Sequence, residues 1–257
     1  MPAQLGRSSP RLTRVAALKS VKGRREHQRF SFEGATLLAE AVRSETHIES
    51  LYVTRVAFET TPLVRDLDAS GVPTYLIEGQ SAAKLSDLET PSGIVAVAAQ
   101  RLRGLGELTI GDGILLVLAD VNDPGNAGTL VRSADAFGAL GVVFGRAGVD
   151  PYHPKVVRAA MGAIFRVPLA TAGPDELEAA AGADVRIVGL VPGALPLDAE
   201  AWASRTALVV GHERHGLGPW AAICDASLGI RMRAGSDSLN AATAGSIALY
   251  EALKNQR

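Results

Sequence analysis

The sequence predicts an α/β protein in two parts. Residues 1–100 form a smaller α/β domain, 101–112 a linker, and 113–257 a domain built on a parallel sheet. Three observations support this. The second half carries five short runs rich in Val, Ile and Leu: "ILLVLAD", "GVVFG", "VRIVGL", "ALVVG" and "SLGIRM". Helix-like segments separate them, and near-continuous apolar strands alternating with helices suit a parallel sheet covered on both faces. The first half also alternates strand and helix patterns, and "RLRGLGELTIGDG" between the halves is glycine-rich with no sustained period.

In the first half, "RFSF" reads as a short strand. "GATLLAEAVRS" places Leu37, Leu38, Ala41 and Val42 at helical spacing. "IESLYVT" is a strand, and "TPLVRDLDASG" a helix opened by Thr-Pro and closed by Gly71. "VPTYLIEG" and "GIVAVAAQ" are strands with the short helix "SAAKLSDLE" between them. In the second half, ligands of a parallel sheet sit beyond the carboxyl ends of its strands. After "ILLVLAD", Asp123-Pro124-Gly125 makes a turn. Asn126 is then suited to cap a helix running to Gly138, with Arg132 almost two turns on. After "ALVVG" comes "HERHGLG", with Glu213 between His212 and His215. After "SLGIRM" comes "RAGSDSLNAATAGSIALYEAL", where Ser238 or Asn240 can cap a helix of small residues. Three polar loops therefore gather at one sheet edge.

Composition narrows the class. The chain has 257 residues, a net charge of −1 and 47% hydrophobic residues, as a packed soluble protein would. One cysteine, Cys224, excludes an internal disulfide framework and suits a reducing cytoplasm. No apolar stretch approaches the roughly 20 residues of a membrane span, and the N-terminus lacks the apolar core of a secretory signal. From Arg7 to Arg29 the cations Arg11, Arg14, Lys19, Lys22, Arg24 and Arg25 face only Glu26. Such an arm suggests a polyanion partner, the bland alternative being a solvated, partly disordered leader. "HERH" is not the His-Glu-x-x-His of a zinc helix, because the second His comes one residue early, so no metal is expected. A dinucleotide-binding reading fails because "DPGNAG" lacks the Gly-x-Gly-x-x-Gly spacing.

"NDPGNAGTLVRSADAFGALGVVF", "LVVGHERHGL" and "IRMRAGSDSLNAATAGSIALYE" resemble the three motifs of the SpoU/TrmH family of RNA ribose 2′-O-methyltransferases, in type, order and spacing. The resemblance covers about residues 112–257. "FSFEGATLLAEAV" and "TPSGIVAVAAQ" are similar to the substrate-binding domain that precedes the catalytic one in many ribosomal-RNA members. The resemblance implies a C-terminal α/β-knot, a deep trefoil knot on a parallel sheet, preceded by a ribosomal-protein-like α/β domain. It implies S-adenosylmethionine as cofactor, held by Gly211, Ile230 and Leu239 through their backbone, with Leu190 and Met232 beside them. It places Asn126, Arg132, Glu213, Ser238 and Asn240 at the active-site positions. It also implies a homodimer, in which Arg132 of one subunit serves the other subunit's cofactor. The chain departs from the family at Arg231, where proline is common, and at Ala241 to Ala244 after Asn240. Both departures spare the polar residues.

The chemistry assigns roles within that resemblance. A ribose 2′-hydroxyl must lose its proton as it attacks the methyl. A guanidinium is a poor base, because it keeps its proton in proteins. Arg132 is therefore expected to bind the substrate phosphate and stabilise the developing alkoxide, helped by Asn126. Glu213 would orient Arg132 or Asn126, and Ser238 and Asn240 would hold the loop and the ribose. The turn would aim Asn126 and Arg132 at one ribose, and the final proton acceptor stays open. Methylation at C5 of a pyrimidine needs an attacking cysteine. Cys224 in "AAICDAS", best read as a small buried hydrophobe, lies away from the three loops. The extra N-terminal domain favours ribosomal RNA; a transfer-RNA methyltransferase and a non-catalytic RNA-binding protein of the same fold are the alternatives.

Overall fold

The computed structural model describes residues 2–109, 111–199, 202–233 and 238–254. The stretch 234–237 of the third motif lies outside these residues. The chain forms two compact units. One runs up to Gln100 and also takes Tyr152–Phe165; the other holds Arg101–Pro151 and the chain from Arg166 onward.

The first unit contains β1 (Ala3–Gln4), α1 (Pro10–Ala17), α2 (Val21–His27), β2 (Arg29–Glu33), α3 (Ala35–Arg43), β3 (Ile48–Val53), α4 (Arg55–Thr60), α5 (Pro62–Ala69), β4 (Thr74–Leu76), α6 (Gly79–Leu85) and β5 (Ile94–Ala99). Its sheet has the order β1-β4-β3-β5-β2, with β5 antiparallel to both neighbours. The basic arm is folded rather than a loose leader. Leu12, Val15 and Leu18 recur at three-residue spacing and bury against Tyr52, Ile77, Leu85 and Val97. The Ser20 hydroxyl caps α2 by accepting from the Gly23 N–H at 3.0 Å. The buried Arg24 guanidinium then donates to the carbonyls of Leu18 and Lys19, both at 2.9 Å, and closes the corner between α1 and α2.

The second unit contains α7 (Leu105–Thr109), β6 (Gly113–Ala119), α8 (Pro124–Phe137), β7 (Gly141–Gly145), β8 (Leu169–Ala172), α10 (Pro174–Ala181), β9 (Arg186–Pro196), β10 (Arg205–Gly211), β11 (Ala226–Gly229) and α11 (Ala241–Lys254); α9 (Pro154–Ala159) falls in the first unit. Six strands run in the order β11-β9-β10-β6-β7-β8, every pair parallel. Strand β6 is buried from Ile114 to Ala119, as a strand covered on both faces must be. Helix α11 packs on α8 and against β6 and β10. A Cβ at Gly245 would come within 2.6 Å of Leu130 Cδ2 and 3.0 Å of Val210, so glycine is what lets this helix sit close.

Three features depart from the sequence reading. The expected linker 101–112 contains α7, because Leu105 and Leu108 join the core of the second unit. Strand β8, "LATA", is a sixth strand too short and too poor in branched residues to announce itself. The segment 152–165, expected in the second domain, packs into the first unit. Its Tyr152 and Phe165 rings lie 4.5 Å from Phe30 and 4.9 Å from Phe32. Among the described residues no helix is long and apolar enough to cross a membrane.

Candidate active site

Strands β6 and β10 are neighbours, and their last residues, Ala119 and Gly211, stand in register. The connections leave β6 toward β7 on one side and reach β10 from β9 on the other. That is the switch point of the sheet, where a crevice opens beyond the strand ends. Two of the three expected loops begin there, side by side.

The first loop turns at once. Asp120 adopts φ 55°, uncommon for a residue with a side chain. Asp123 then caps α8, its carboxylate accepting from the Asn126 N–H at 2.8 Å. Asn126 was expected to be the cap; it lies instead in the first turn, because Pro124 occupies the first helical position. Its side chain is thereby released for other bonds. Asn126 Nδ2 donates to Glu213 Oε1 at 2.9 Å, and Asn126 Oδ1 accepts from Asn240 Nδ2 at 2.9 Å. Asn240 Oδ1 in turn caps α11, accepting from the N–H groups of Ala242 and Thr243 at 2.9 and 3.1 Å. One directed chain of hydrogen bonds thus joins all three loops, and each bond fixes the orientation of the next amide.

Glu213 ends this chain. Burial acts to raise its pKa, but the Asn126 amide and the backbone N–H groups of Glu213, Asn122 and Asp123 together outweigh it. The carboxyl sits below its ordinary value and is ionised at neutral pH. The second loop closes on itself through His212 and Gly216, whose N–H groups exchange with each other's carbonyls at 2.8 and 3.0 Å. A Cβ on Gly211 would run into the Gly216 backbone, so glycine is obligatory at that position. His212 Nδ1 accepts from the Arg214 N–H at 2.9 Å, and its ring lies tilted against that of His215 with centroids 4.7 Å apart. No cluster of potential metal ligands occurs among the described residues.

A cleft of about 470 Å³ opens beside the chain of amides. Every expected cofactor residue lines it: Leu190, Gly211, Ile230, Met232 and Leu239. So do Glu213, Ser238 and Asn240. Asn126 is not part of the lining and meets the cleft only through its bonds to Glu213 and Asn240, and Arg132 does not line it either. Arg132 follows Asn126 by six residues, which on a helix turns it about 120° away. It is exposed, and among the described residues it makes no hydrogen bond or ion pair. Within one chain Glu213 therefore bonds Asn126 and not Arg132. Cys224 lies outside the cleft lining; its thiol donates to the Trp220 carbonyl, and burial next to Asp225 pushes its pKa up to about 11. At Arg231 the departure from the family pattern places an exposed ion pair with Asp198 at 3.0 Å.

The sequence profile of the SpoU rRNA Methylase family matches residues 113–250, more than half of the chain. The chain belongs to the SpoU rRNA methylase family. Residues 9–96 match the MRM3-like substrate binding domain. A 23S rRNA guanosine 2′-O-methyltransferase of Bacillus subtilis is 32% identical over 91% of this chain and 92% of its own. A 23S rRNA uridine 2′-O-methyltransferase of Streptomyces viridochromogenes is 35% identical over 65% of this chain and 62% of its own. The crystal structure of a SpoU methyltransferase from Streptomyces viridochromogenes, in complex with AdoMet, covers 96% of this chain and 98% of that one. It superposes with a TM-score of 0.85 at 27% identity. The fold class is accordingly the α/β-knot of the SpoU proteins, preceded by their substrate-binding domain.

Two residues outside the cleft lining, Asp120 and Trp220, bond each other across the first two loops and escaped sequence reasoning. Asp120 closes an apolar run and reads there as a strand end, and Trp220 lies beyond the motif in "GLGPW". An acid ending a buried strand and a tryptophan just past a glycine turn were the available signals, and neither announces its partner.

Proposed function

We propose that the chain transfers a methyl group from S-adenosylmethionine to a ribose 2′-hydroxyl of ribosomal RNA, acting as a cytoplasmic homodimer. The observation that carries this reading is the hydrogen-bond chain Asn240–Asn126–Glu213 at the edge of the cleft. The cleft suits the cofactor. Its volume lies within the usual range for small-molecule sites, about 300–1,000 Å³. Leu190, Val210, Ile230, Met232 and Leu239 offer apolar surface to a flat purine and to the methylenes of the methionine chain. Backbone groups at Gly211, Ile230 and Leu239 would supply its polar contacts. Bound there, S-adenosylmethionine supplies an electrophilic methyl on a sulfonium.

The chain's own residues then bind and orient the nucleophile, and none of them is assigned its proton. Asn126 and Asn240 each spend one side-chain N–H on the amide chain and keep another for the ribose. Glu213 is a poor proton acceptor, because its pKa is depressed. Its task is to hold the Asn126 amide in one orientation. Ser238 stands on the cleft wall, in reach of a bound ribose. Arg132 needs a second chain to reach a reacting ribose. It lies on α8, whose Ser133 bonds Ser246 of α11 at 2.7 Å and whose Phe137 packs edge-on to Tyr250 at 5.5 Å. On α11, Ile247 is 41% exposed and Tyr250 55%. An exposed apolar face on α11, the helix that packs on the one carrying Arg132, supports an isologous dimer that delivers Arg132 to the partner's cleft.

Incubating the protein with ribosomal RNA and methyl-labelled S-adenosylmethionine tests the reaction. The product should resist alkaline cleavage at the modified nucleotide, because the 2′-hydroxyl that attacks the next phosphate is blocked. Complete digestion and mass spectrometry should find the added mass on the sugar. A methyl on the base fragment would overturn the reading.

A further inference from the structure

The reactive pair Asn126–Glu213 spans two loops that leave adjacent strands. A second tie joins the same two stretches of chain one level lower. Trp220, 1% exposed, donates its indole N–H to Asp120 Oδ2 at 3.0 Å. Asp120 Oδ1 accepts from the Ala147 N–H at 3.2 Å. Asp120 is thus held by the element after the second loop and by the turn after β7. Its left-handed backbone, at φ 55°, starts the turn that brings Asn122 and Asp123 over Glu213.

The surroundings leave Asp120 no freedom. A Cβ at Gly145 would collide with its carboxylate, and one at Gly148 would come within 3.0 Å of its Cα and 2.9 Å of the Val121 carbonyl. That carbonyl accepts from the Val149 N–H at 3.0 Å, which pins the next residue too. Trp220 is anchored from its own side by its N–H to the Leu217 carbonyl at 3.1 Å. The upper tie, by contrast, is one amide bond at 2.9 Å with two longer backbone contacts at 3.4 and 3.5 Å, near the surface. A solvent-exposed bond of that kind does not fix the spacing of two loops; a half-buried carboxylate–indole bond whose tryptophan is fully buried does.

We propose that Asp120, through Trp220, is a positioning residue for methyl transfer. It sets the distance between the first and second loops, and so the aim of the Asn126 amide. The proposal rests on the methyl-transfer reading of Asn126 and Glu213. It assigns no contact with RNA or cofactor to Asp120 itself. Removing the tie should therefore slow the chemical step and leave binding alone.

Two variants separate this from a merely structural role. Trp220→Phe keeps the ring and removes only the N–H donor. Asp120→Gly removes the carboxylate and keeps access to positive φ. Each should lower kcat by roughly 10- to 100-fold, the scale of a small misplacement. KM for RNA and Kd for S-adenosylmethionine should stay within about threefold, as a kcat-specific effect requires. The double variant should be no slower than the worse single one, because both remove the same bond. Unchanged kcat in Trp220→Phe, a loss of cofactor affinity in step with kcat, or additive losses would each overturn the proposal. Should Asp120→Gly fail to fold, Trp220→Phe decides alone. A readout independent of activity is the Asn126 side-chain amide resonance in ¹⁵N spectra, assigned by its loss in Asn126→Asp. It should shift in Trp220→Phe, and an unmoved resonance would also overturn the proposal. If the wild-type protein transfers no methyl to RNA, the functional reading fails while this resonance still tests the tie.

Discussion

Glu213 shows how one residue's environment selects its role. Burial alone would make it a better base, yet the N–H groups around it favour the ionised form and win. Its folded pKa is therefore below the unfolded one. Its stabilising effect is complete above the unfolded carboxylate pKa and is lost as pH falls through the folded value. The stability gap between wild type and Glu213→Gln should then be constant from about pH 6 to 8 and should shrink below about pH 4. Urea unfolding across that range measures it, and a gap independent of pH would mean the carboxylate is not held as described. Arg132 is the contrasting case. With no partner among the described residues and no place in its own chain's cleft, it is free to meet RNA. Arg132→Ala should lower methyl transfer by roughly 10²–10⁴-fold while leaving cofactor affinity within about threefold. Calorimetry beside a methyl-transfer assay separates the two quantities; near-normal turnover would remove Arg132 from the mechanism.

At the scale of elements, the site depends on loops that close tightly after strands. Gly211 ends β10 against the Gly216 backbone. In Gly211→Ala the clash is with main chain, so the loop carrying Glu213 must shift. Cofactor affinity should fall by at least about tenfold, since an overpacked site is relieved only by backbone movement. The rest of the fold should survive, as circular dichroism would show; normal cofactor binding would contradict the packing. These elements were unequally legible. The strands β6, β7, β9, β10 and β11 were readable because buried parallel strands are continuous apolar runs. Gly138 was readable as a helix end, and the cap of α11 was narrowed to Ser238 or Asn240, of which Asn240 is the one that bonds the helix N–H groups. The start of α8 was misread. Asn126 and Asp123 are both good caps, and only Pro124 in the first helical position decides for Asp123. The chain Asn240–Asn126–Glu213 was legible as three motif residues but not as a bonded series, because its members lie 114 and 87 residues apart. Local patterns carry no distance across such gaps.

At the scale of the whole molecule, the exposed cations of the first helices bear on RNA binding and Arg132 bears on how many chains make a site. Arg14, Lys22 and Arg25 are exposed on α1 and α2, and Arg11 lies 4.9 Å over the Tyr75 ring. Phosphate contacts of this kind release counterions, so RNA affinity should fall steeply with salt. Replacing Arg14, Lys22 and Arg25 with alanine should flatten that slope by about 2–3, and an unchanged slope would place the grip elsewhere. Arg132, absent from the lining of its own chain's cleft, bears on the number of chains per site. If the partner supplies it, each site needs Asn240 from one chain and Arg132 from the other. Arg132→Ala and Asn240→Ala should each be inactive as pure proteins. In a mixed dimer one site carries both lesions, and the other site carries neither. Random exchange makes half of the dimers mixed, and each of these has one of its two sites intact. Unfolding the two variants together and refolding them should thus restore about a quarter of wild-type activity. Light scattering should report twice the chain mass for the mixture and for each parent. If every chain instead completed its own site, both lesions would persist in every mixture, and the refolded sample would stay inactive.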